Sequence, residues 1–390
     1  MVPREIEPRF RAALKAFPAV TLTGPRQAGK STLCRSIEPE LPYCNLEALD
    51  TRGFAQSDPR GFLAQFPKGA ILDEVQRVPE LASYLQGIID ADSTPGRWIL
   101  TGSQNLAVIE EVNQSLAGRT AVLHLLPLSR SEVVGFPSHP TTLNATIFTG
   151  GYPRILDRAL DPSQWLQSYV ATYIERDVRM LSNVGDLVAF QRFVELCASR
   201  TGQLLNYSSL ASDCSVSQPT AKAWLSLLEA SFVTMRVPAF HTNARKRLMK
   251  MPKLHFIDTG LACWLLGIRS HEQLQTHPLR GPLFESWVVS EIAKHRLNAG
   301  EPIGLHHYRE HNGAEADLVI DRGGILTVVE AKSAATATPA LLAGAMKARE
   351  YLGIEAPVSH TIVVYGGGTS QRRSGLDVVP WCDLHKFAWR

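Results

Sequence analysis

Apolar positions along this chain follow two rhythms. Short, continuous apolar runs read as strands buried on both faces: Ala19–Thr23, the segment 70–72, "RWILTGSQN" (97–105) and "TAVLHLLPL" (120–128), with "PYCNLEA" (42–48) as a further strand. Between them apolar residues recur at spacings of three and four, as in "PELASYLQGIIDA" (79–91), the mark of a helix with one buried face. Strands alternating with helices predict a parallel sheet whose sites lie at the carboxyl ends of the strands.

The pattern changes after residue 135. "GFPSHPTTLNATIFTGGYPRIL" (135–156) is rich in Gly, Pro and Thr and reads as a boundary. Helical periodicity follows over 162–181 and 187–202. A short helix (208–214), a turn, a longer helix (217–230) and a strand (232–238) come next, the order of a winged helix-turn-helix. Ala221, Trp224, Leu225 and Leu228 share one helical face and read as core, while Gln218, Thr220 and Lys222 face outward near the helix start. The last part runs helix (283–298), strand (303–310), hairpin (314–333, turning at Arg322, Gly323 and Gly324), helix (339–352) and strand (360–366). This divides the chain into 1–135, 136–270 and 271–390.

Composition changes the picture little. The chain has 390 residues, too many for one core, with 45% hydrophobic and 20% charged residues and a net charge of +3. That mild excess does not argue for nucleic acid, so any basic surface must be local. One such run is Arg245, Lys246, Arg247, Lys250 and Lys253, which reads either as a phosphate-backbone contact or as a solvated face. The six cysteines are scattered without a C-x-x-C pair and read as free buried thiols of a reducing compartment. No apolar leader and no run long enough to cross a membrane is seen, so a cytoplasmic protein is expected.

Candidate chemistry begins at "TGPRQAGKST" (23–32). Gly24, Gly29, Lys30 and Ser31 complete G-x-x-x-x-G-K-[ST] between a strand and a helix. Backbone N–H groups of Gly24, Pro25, Arg26, Gln27, Ala28 and Gly29 (Pro25 lacking one) would wrap ATP phosphates, with the helix dipole adding to the attraction. Lys30 would reach the β and γ phosphates, and Ser31 would ligate Mg²⁺, with Thr32 beside it. "AILDEVQ" then supplies Asp73 for Mg²⁺ and Glu74 to orient or deprotonate the attacking water. Ser103, with Asn105 as the alternative, ends a strand where it would sense the γ phosphate. Arg119 reads either as a finger toward a neighbouring copy or as a surface arginine.

These motifs resemble the P-loop module of AAA+ ATPases. With "LAGRTAVLHLLPLSRSE", "GGYP", "YIERDVR", "FIDTGLACWLLG", "LFESWVVSEI" and "EADLVI", the chain is similar to bacterial and archaeal AAA-type ATPases that fuse this module to a C-terminal domain of unassigned function. The resemblance implies ATP binding, and rings of identical copies are common among such relatives. Tyr173, Arg176 and Asp177, in "YIERDVR", read as part of a lid or hinge.

The end of the chain carries a second constellation. Asp317 is followed thirteen positions later by Glu330-Ala331-Lys332, and Glu285 sits on the preceding helix. Asp, a gap, then (Asp/Glu)-x-Lys resembles the restriction-endonuclease-like fold, in which two carboxylates hold Mg²⁺ and the lysine activates water. Glu315 is the alternative to Asp317, and Glu291 to Glu285. His307-Tyr308-Arg309-Glu310-His311 matches a zinc-peptidase pattern, but it lacks the helix that would put both histidines on one face. Three functions stay open: an ATPase acting on DNA with Mg²⁺-dependent cleavage at Asp317, Glu330 and Lys332; an ATP-controlled DNA-binding switch without cleavage; and an ATPase adaptor that remodels a protein partner.

Overall fold

The computed structural model describes residues 2–103, 115–173, 186–241, 251–310 and 313–389. Asn105, Arg176, Asp177, Arg245, Lys246, Arg247, Lys250 and His311 lie outside these residues. The chain forms two compact units: residues 1–128 with 230–232 and 297–300, and residues 129–229 with 233–296 and 301–390. The boundary expected at 270/271 therefore falls inside the second unit.

The first unit is built on a parallel five-stranded sheet of β1 (Ala19–Thr23), β2 (Tyr43–Asn45), β3 (Ala70–Asp73), β4 (Trp98–Gly102) and β5 (Thr120–His124), in the order β2-β3-β4-β1-β5. Every residue of β1, β3 and β4 is buried, which explains their continuous apolar reading. Alternate residues serve opposite faces. Val20, Leu22, Ile71 and Ile99 pack with Phe10, Leu14, Leu33 and Ile37 from the helices Glu7–Ala16 and Lys30–Ile37. Ala70, Leu72, Trp98 and Leu100 pack with Phe62, Leu81, Leu85 and Ile89 on the other side. Register aligns Thr23 with Gly102 and Leu72 with Leu100, so the chain leaves β1, β3 and β4 at one edge. That edge is where the phosphate-loop motif and both acids converge.

In the second unit the segment read as a boundary is folded. Thr142 caps the helix Leu143–Thr149 by accepting the Ala145 N–H, and Ile147 and Phe148 are buried. Its turn-forming residues are helix caps and starts here; Pro153 opens the helix Pro153–Asp157. Next come the helices Leu187–Ser199, Tyr207–Asp213 and Gln218–Ala230 and a three-stranded sheet, β6 (Gln203–Leu204), β7 (Thr234–Val237) and β8 (Lys253–Phe256), ordered β6-β8-β7. The helix Arg280–Ala299 leads to a mixed sheet of β9 (Leu305–Arg309), β10 (Glu315–Arg322), β11 (Ile325–Lys332), β12 (Val358–Tyr365), β13 (Gln371–Arg373) and β14 (Leu376–Pro380). Its order is β13-β14-β12-β11-β10-β9. β10 and β11 are antiparallel with Leu318 opposite Val329, which places Asp317 and Glu330 side by side. β11 pairs in parallel with β12 through the helix Pro339–Glu355.

Candidate functional site

Two groups of buried lysines and acids stand out, one in each unit. In the first, β1 runs into Gly24, whose φ is +154°. A Cβ there would lie 2.0 Å from the Leu125 carbonyl oxygen, so only glycine fits. Gly29 has φ +93° and starts the Lys30–Ile37 helix, where an L side chain would be strained. The loop thus turns tightly enough to aim the helix start inward. Lys30 is buried, and its Nζ donates to the carbonyls of Gly24 (2.8 Å) and Pro25 (2.9 Å). Burial lowers its pKa to about 8 against the pull of Glu74 and Asp73. Its charge is held by backbone dipoles, with no ion pair among the described residues.

Asp73 ends β3 and is surrounded by hydroxyls. Ser31 Oγ donates to its Oδ2 at 2.8 Å, the Tyr43 hydroxyl donates to the same oxygen, and Thr101 donates to Oδ1. Ser31 and Asp73 present hard oxygens at contact distance, a donor pair that fits Mg²⁺. Glu74 follows in the left-handed region at φ +61°, which costs a non-glycine residue about 1–2 kcal/mol. The turn separates its carboxylate from that of Asp73. Ser103 Oγ donates to Glu74 Oε2 at 2.8 Å, and Gln76 Nε2 donates to the same oxygen. The expected sensor Ser103 therefore meets Glu74. Arg26 pairs with Glu47 at 2.9 Å on the outer side of the loop.

Arg119 does not join this group. It precedes β5 at the level of Ala19, the opposite edge of the sheet, roughly 15 Å along the strand from the loop. There its guanidinium takes both oxygens of Asp90, at 2.5 and 3.0 Å. Arg119 therefore lies at the other end of the strands from the loop of its own chain.

In the second unit, Asp317 on β10, Lys332 on β11 and Glu285 on the Arg280–Ala299 helix line a cleft of about 500 Å³ with Gly281, Pro282 and Ser333. The Ala331 N–H donates to Asp317 Oδ2 at 2.9 Å, and Lys332 Nζ lies 2.5 Å from Glu330 Oε1. Glu330 is buried, and its Oε2 has no hydrogen-bond partner among the described residues. Burial, reinforced by Asp317, pushes Glu285 up to about 8 and Glu330 up to about 7. Glu291 faces elsewhere, accepting from the Arg130 N–H (2.6 Å) and Lys294 (2.8 Å).

Sequence reasoning missed the cation behind two of this cleft's acids. Lys253, grouped above with a basic run, has a side chain only 4% exposed. Its Nζ lies 2.9 Å from Glu285, 3.2 Å from Asp317 and 3.3 Å from Glu315. Burial alone would lower its pKa, but Asp317 and Glu285 outweigh it and the pKa rises. Among the described residues no three acids, histidines or cysteines are disposed to hold a metal ion. Of the residues expected to hold Mg²⁺, Asp317 and Glu285 share the Lys253 ammonium and Glu330 turns to Lys332. The available hint was "KLHF", a strand pattern that commits Lys253 and His255 to one face. His307 lies on β9 and is a hydrogen-bond partner of the Met251 carbonyl at 3.0 Å, so the zinc-peptidase pattern has a strand where it needs a helix.

Comparison with known proteins agrees with the first group. Residues 16–134 match the model of an AAA domain, and residues 140–272 and 280–384 match two domains of unknown function, DUF8612 and DUF4143. Over 343 residues the chain is 31% identical to uncharacterized protein Rv2008c of Mycobacterium tuberculosis, covering 87% of this chain and 75% of that one. The same figures hold for uncharacterized protein Mb2031c of Mycobacterium bovis. Among solved structures, a Walker-type ATPase of Pyrococcus abyssi is 16% identical with a TM-score of 0.45, covering 67% of this chain and 94% of that one. A STAND-type signal-transduction ATPase with a tetratricopeptide repeat sensor, from Pyrococcus horikoshii, is 11% identical with a TM-score of 0.24, covering 75% and 48%. These scores are too low to carry an argument.

Proposed function

This chain belongs to the family of the two mycobacterial proteins and is an AAA-type ATPase, and on that premise we propose that ATP hydrolysis in its first unit controls how its second unit engages DNA. The observation that carries the ATP site is the contact of Ser31 with Asp73 beside a lysine held only by backbone carbonyls. Lys30 would leave the Gly24 and Pro25 carbonyls for the β and γ phosphates. Ser31 and Asp73 would hold Mg²⁺, which when bound neutralises phosphate charge. Glu74 would orient the attacking water and accept its proton, with Ser103 and Gln76 fixing its carboxylate. Arg119 would serve a nucleotide only from a neighbouring copy.

Two features support DNA as the partner. The order of the Leu187–Ser199 helix, β6, two further helices, β7 and β8 supports a winged-helix reading, with Gln218 and Lys222 exposed at the start of the second of those two helices. The β10–β11 hairpin that sets Asp317 beside Glu330 supports reading the cleft as restriction-endonuclease-like, a form that would suit a phosphate backbone. Lys253 between the acids favours gripping over cutting. Mg²⁺-dependent cleavage is the second reading, favoured by Lys332 on Glu330 Oε1 while Glu330 Oε2 has no hydrogen bond among the described residues.

Duplex DNA titrated into a phosphate-release assay tests the coupling. DNA-stimulated hydrolysis that Lys30→Ala abolishes is expected. Hydrolysis indifferent to DNA would sink the reading and favour a protein partner. Plasmid nicking that disappears in Lys332→Ala would establish the second reading.

A further inference from the structure

We propose that Lys253 is the resident cation of the carboxylate cluster Glu285, Glu315 and Asp317 beside the second unit's cleft: its ammonium takes the place that this carboxylate layout gives to a divalent ion, and the cluster binds no such ion while Lys253 is there. The inference does not depend on DNA being the partner.

Three observations carry it. First, the ammonium is enclosed. Its side chain is 4% exposed, and three carboxylates reach it from two elements: Glu285 from the Arg280–Ala299 helix at 2.9 Å, and Glu315 and Asp317 from β10 at 3.3 and 3.2 Å, while Lys253 itself lies on β8. Second, those distances are ammonium distances. A Mg²⁺ ion draws oxygens to about 2.0–2.1 Å and Ca²⁺ to about 2.3–2.6 Å, so an ion would have to occupy the point where Nζ now lies. Third, the rest of the set is tied elsewhere. Asp317 Oδ2 accepts the Ala331 N–H at 2.9 Å, and Glu330 Oε1 is held by Lys332 at 2.5 Å. Only Glu330 Oε2 is left buried and without a hydrogen bond among the described residues, and one oxygen does not make a site.

Local repulsion points the same way. Glu285, Glu315, Asp317 and Glu330 bring four carboxyl groups, and Lys253 and Lys332 bring two ammonium groups. A divalent ion added to this set would sit against Lys253 with like charge at contact distance, in a buried setting where repulsion is poorly screened. A neutral side chain of similar length in place of Lys253 removes that repulsion. It leaves Glu285 and Asp317 facing one another with space between them, which is the arrangement that attracts a hard cation. His255, which shares the face, lies 3.8 Å from Glu285, and burial keeps its pKa well below the usual range, so it supplies no substitute charge.

The test counts Mn²⁺ bound to the full chain without nucleotide, by electron paramagnetic resonance, in wild type, Asp317→Asn, Lys253→Met and the Lys253→Met/Asp317→Asn double variant. Any contribution from the first unit is common to all four. Wild type and Asp317→Asn are expected to bind equal amounts. Lys253→Met is expected to gain one ion per chain, and the double variant to lose it. The proposal is overturned if Asp317→Asn strips an ion from the wild-type protein, or if folded Lys253→Met gains none. Should Lys253→Met fail to fold, wild type against Asp317→Asn still decides: an ion lost overturns the proposal, and equal binding upholds it.

Discussion

Lys30 and Lys253 are both buried lysines beside carboxylates, yet they are opposites. Lys30 is held by two backbone carbonyls and its pKa falls to about 8, so its charge is poorly compensated and available to an anion. Lys253 is held by three carboxylates and its pKa rises. On the proposed function the first is a phosphate receptor, whereas the second is already met by carboxylates. Burial penalises both ammonium groups, and what differs is whether formal negative charge is in contact.

The strongest way to break this contrast is to remove each lysine. Lys30→Ala should cut ATP hydrolysis by at least about a hundredfold, as loss of a transition-state charge contact does, without destabilising the fold. Full activity in phosphate release would remove Lys30 from the site. Lys253→Ala should leave the chemistry of the first unit's site in place but lower the stability of the second unit by roughly 3–5 kcal/mol, because Glu285 and Asp317 lose their counter-charge. Adding Glu285→Gln should restore part of that loss in denaturant unfolding. A Lys253→Ala protein as stable as wild type would mean the cluster is loosely held.

Titration sharpens the comparison further. Lys30 must be protonated to hold phosphate, so nucleotide affinity should fall as pH rises through about 8, approaching tenfold per pH unit above it. Calorimetric titration across pH 7 to 10 reads this slope, and a flat profile contradicts it. Glu285 and Glu330 have folded pKa values of about 8 and about 7, above the ordinary carboxylate value, so the stability they confer is complete below the unfolded value near 4.5 and is lost as pH rises through 7 to 8. Glu285→Gln should flatten that decline. The smallest effect belongs to Ser103→Ala, which should lower kcat several-fold with KM nearly unchanged, since Ser103 acts through Glu74.

The two sites were legible in the sequence to different degrees for one physical reason. The P-loop is local: glycines, lysine and hydroxyl lie within eight residues, and Asp73 follows a strand that its apolar run announces. Thr101 and Tyr43, which complete the hydroxyl ring on Asp73, come from neighbouring strands, and nothing local marks them. The Asp317–Glu330 pair was legible because a hairpin joins it. Lys253 was not, because it stands 64 residues before Asp317 and meets it only through tertiary packing. Its place beside other cations suggested a surface, whereas its position in the buried strand β8 decides otherwise. The segment 135–156 reads as a boundary, and its Gly, Pro and Thr also cap and start helices there, since such residues cap helices as readily as they form linkers. Arg119 was placed by motif, and only the strand register reveals which edge of the sheet it occupies.

The most direct test of the whole contrast is a count of Mn²⁺ ions per chain with and without a non-hydrolysable ATP analogue. The account predicts one tightly held ion that appears with nucleotide, disappears in Asp73→Asn and is untouched by Asp317→Asn. An ion that is bound without nucleotide and lost in Asp317→Asn would contradict it.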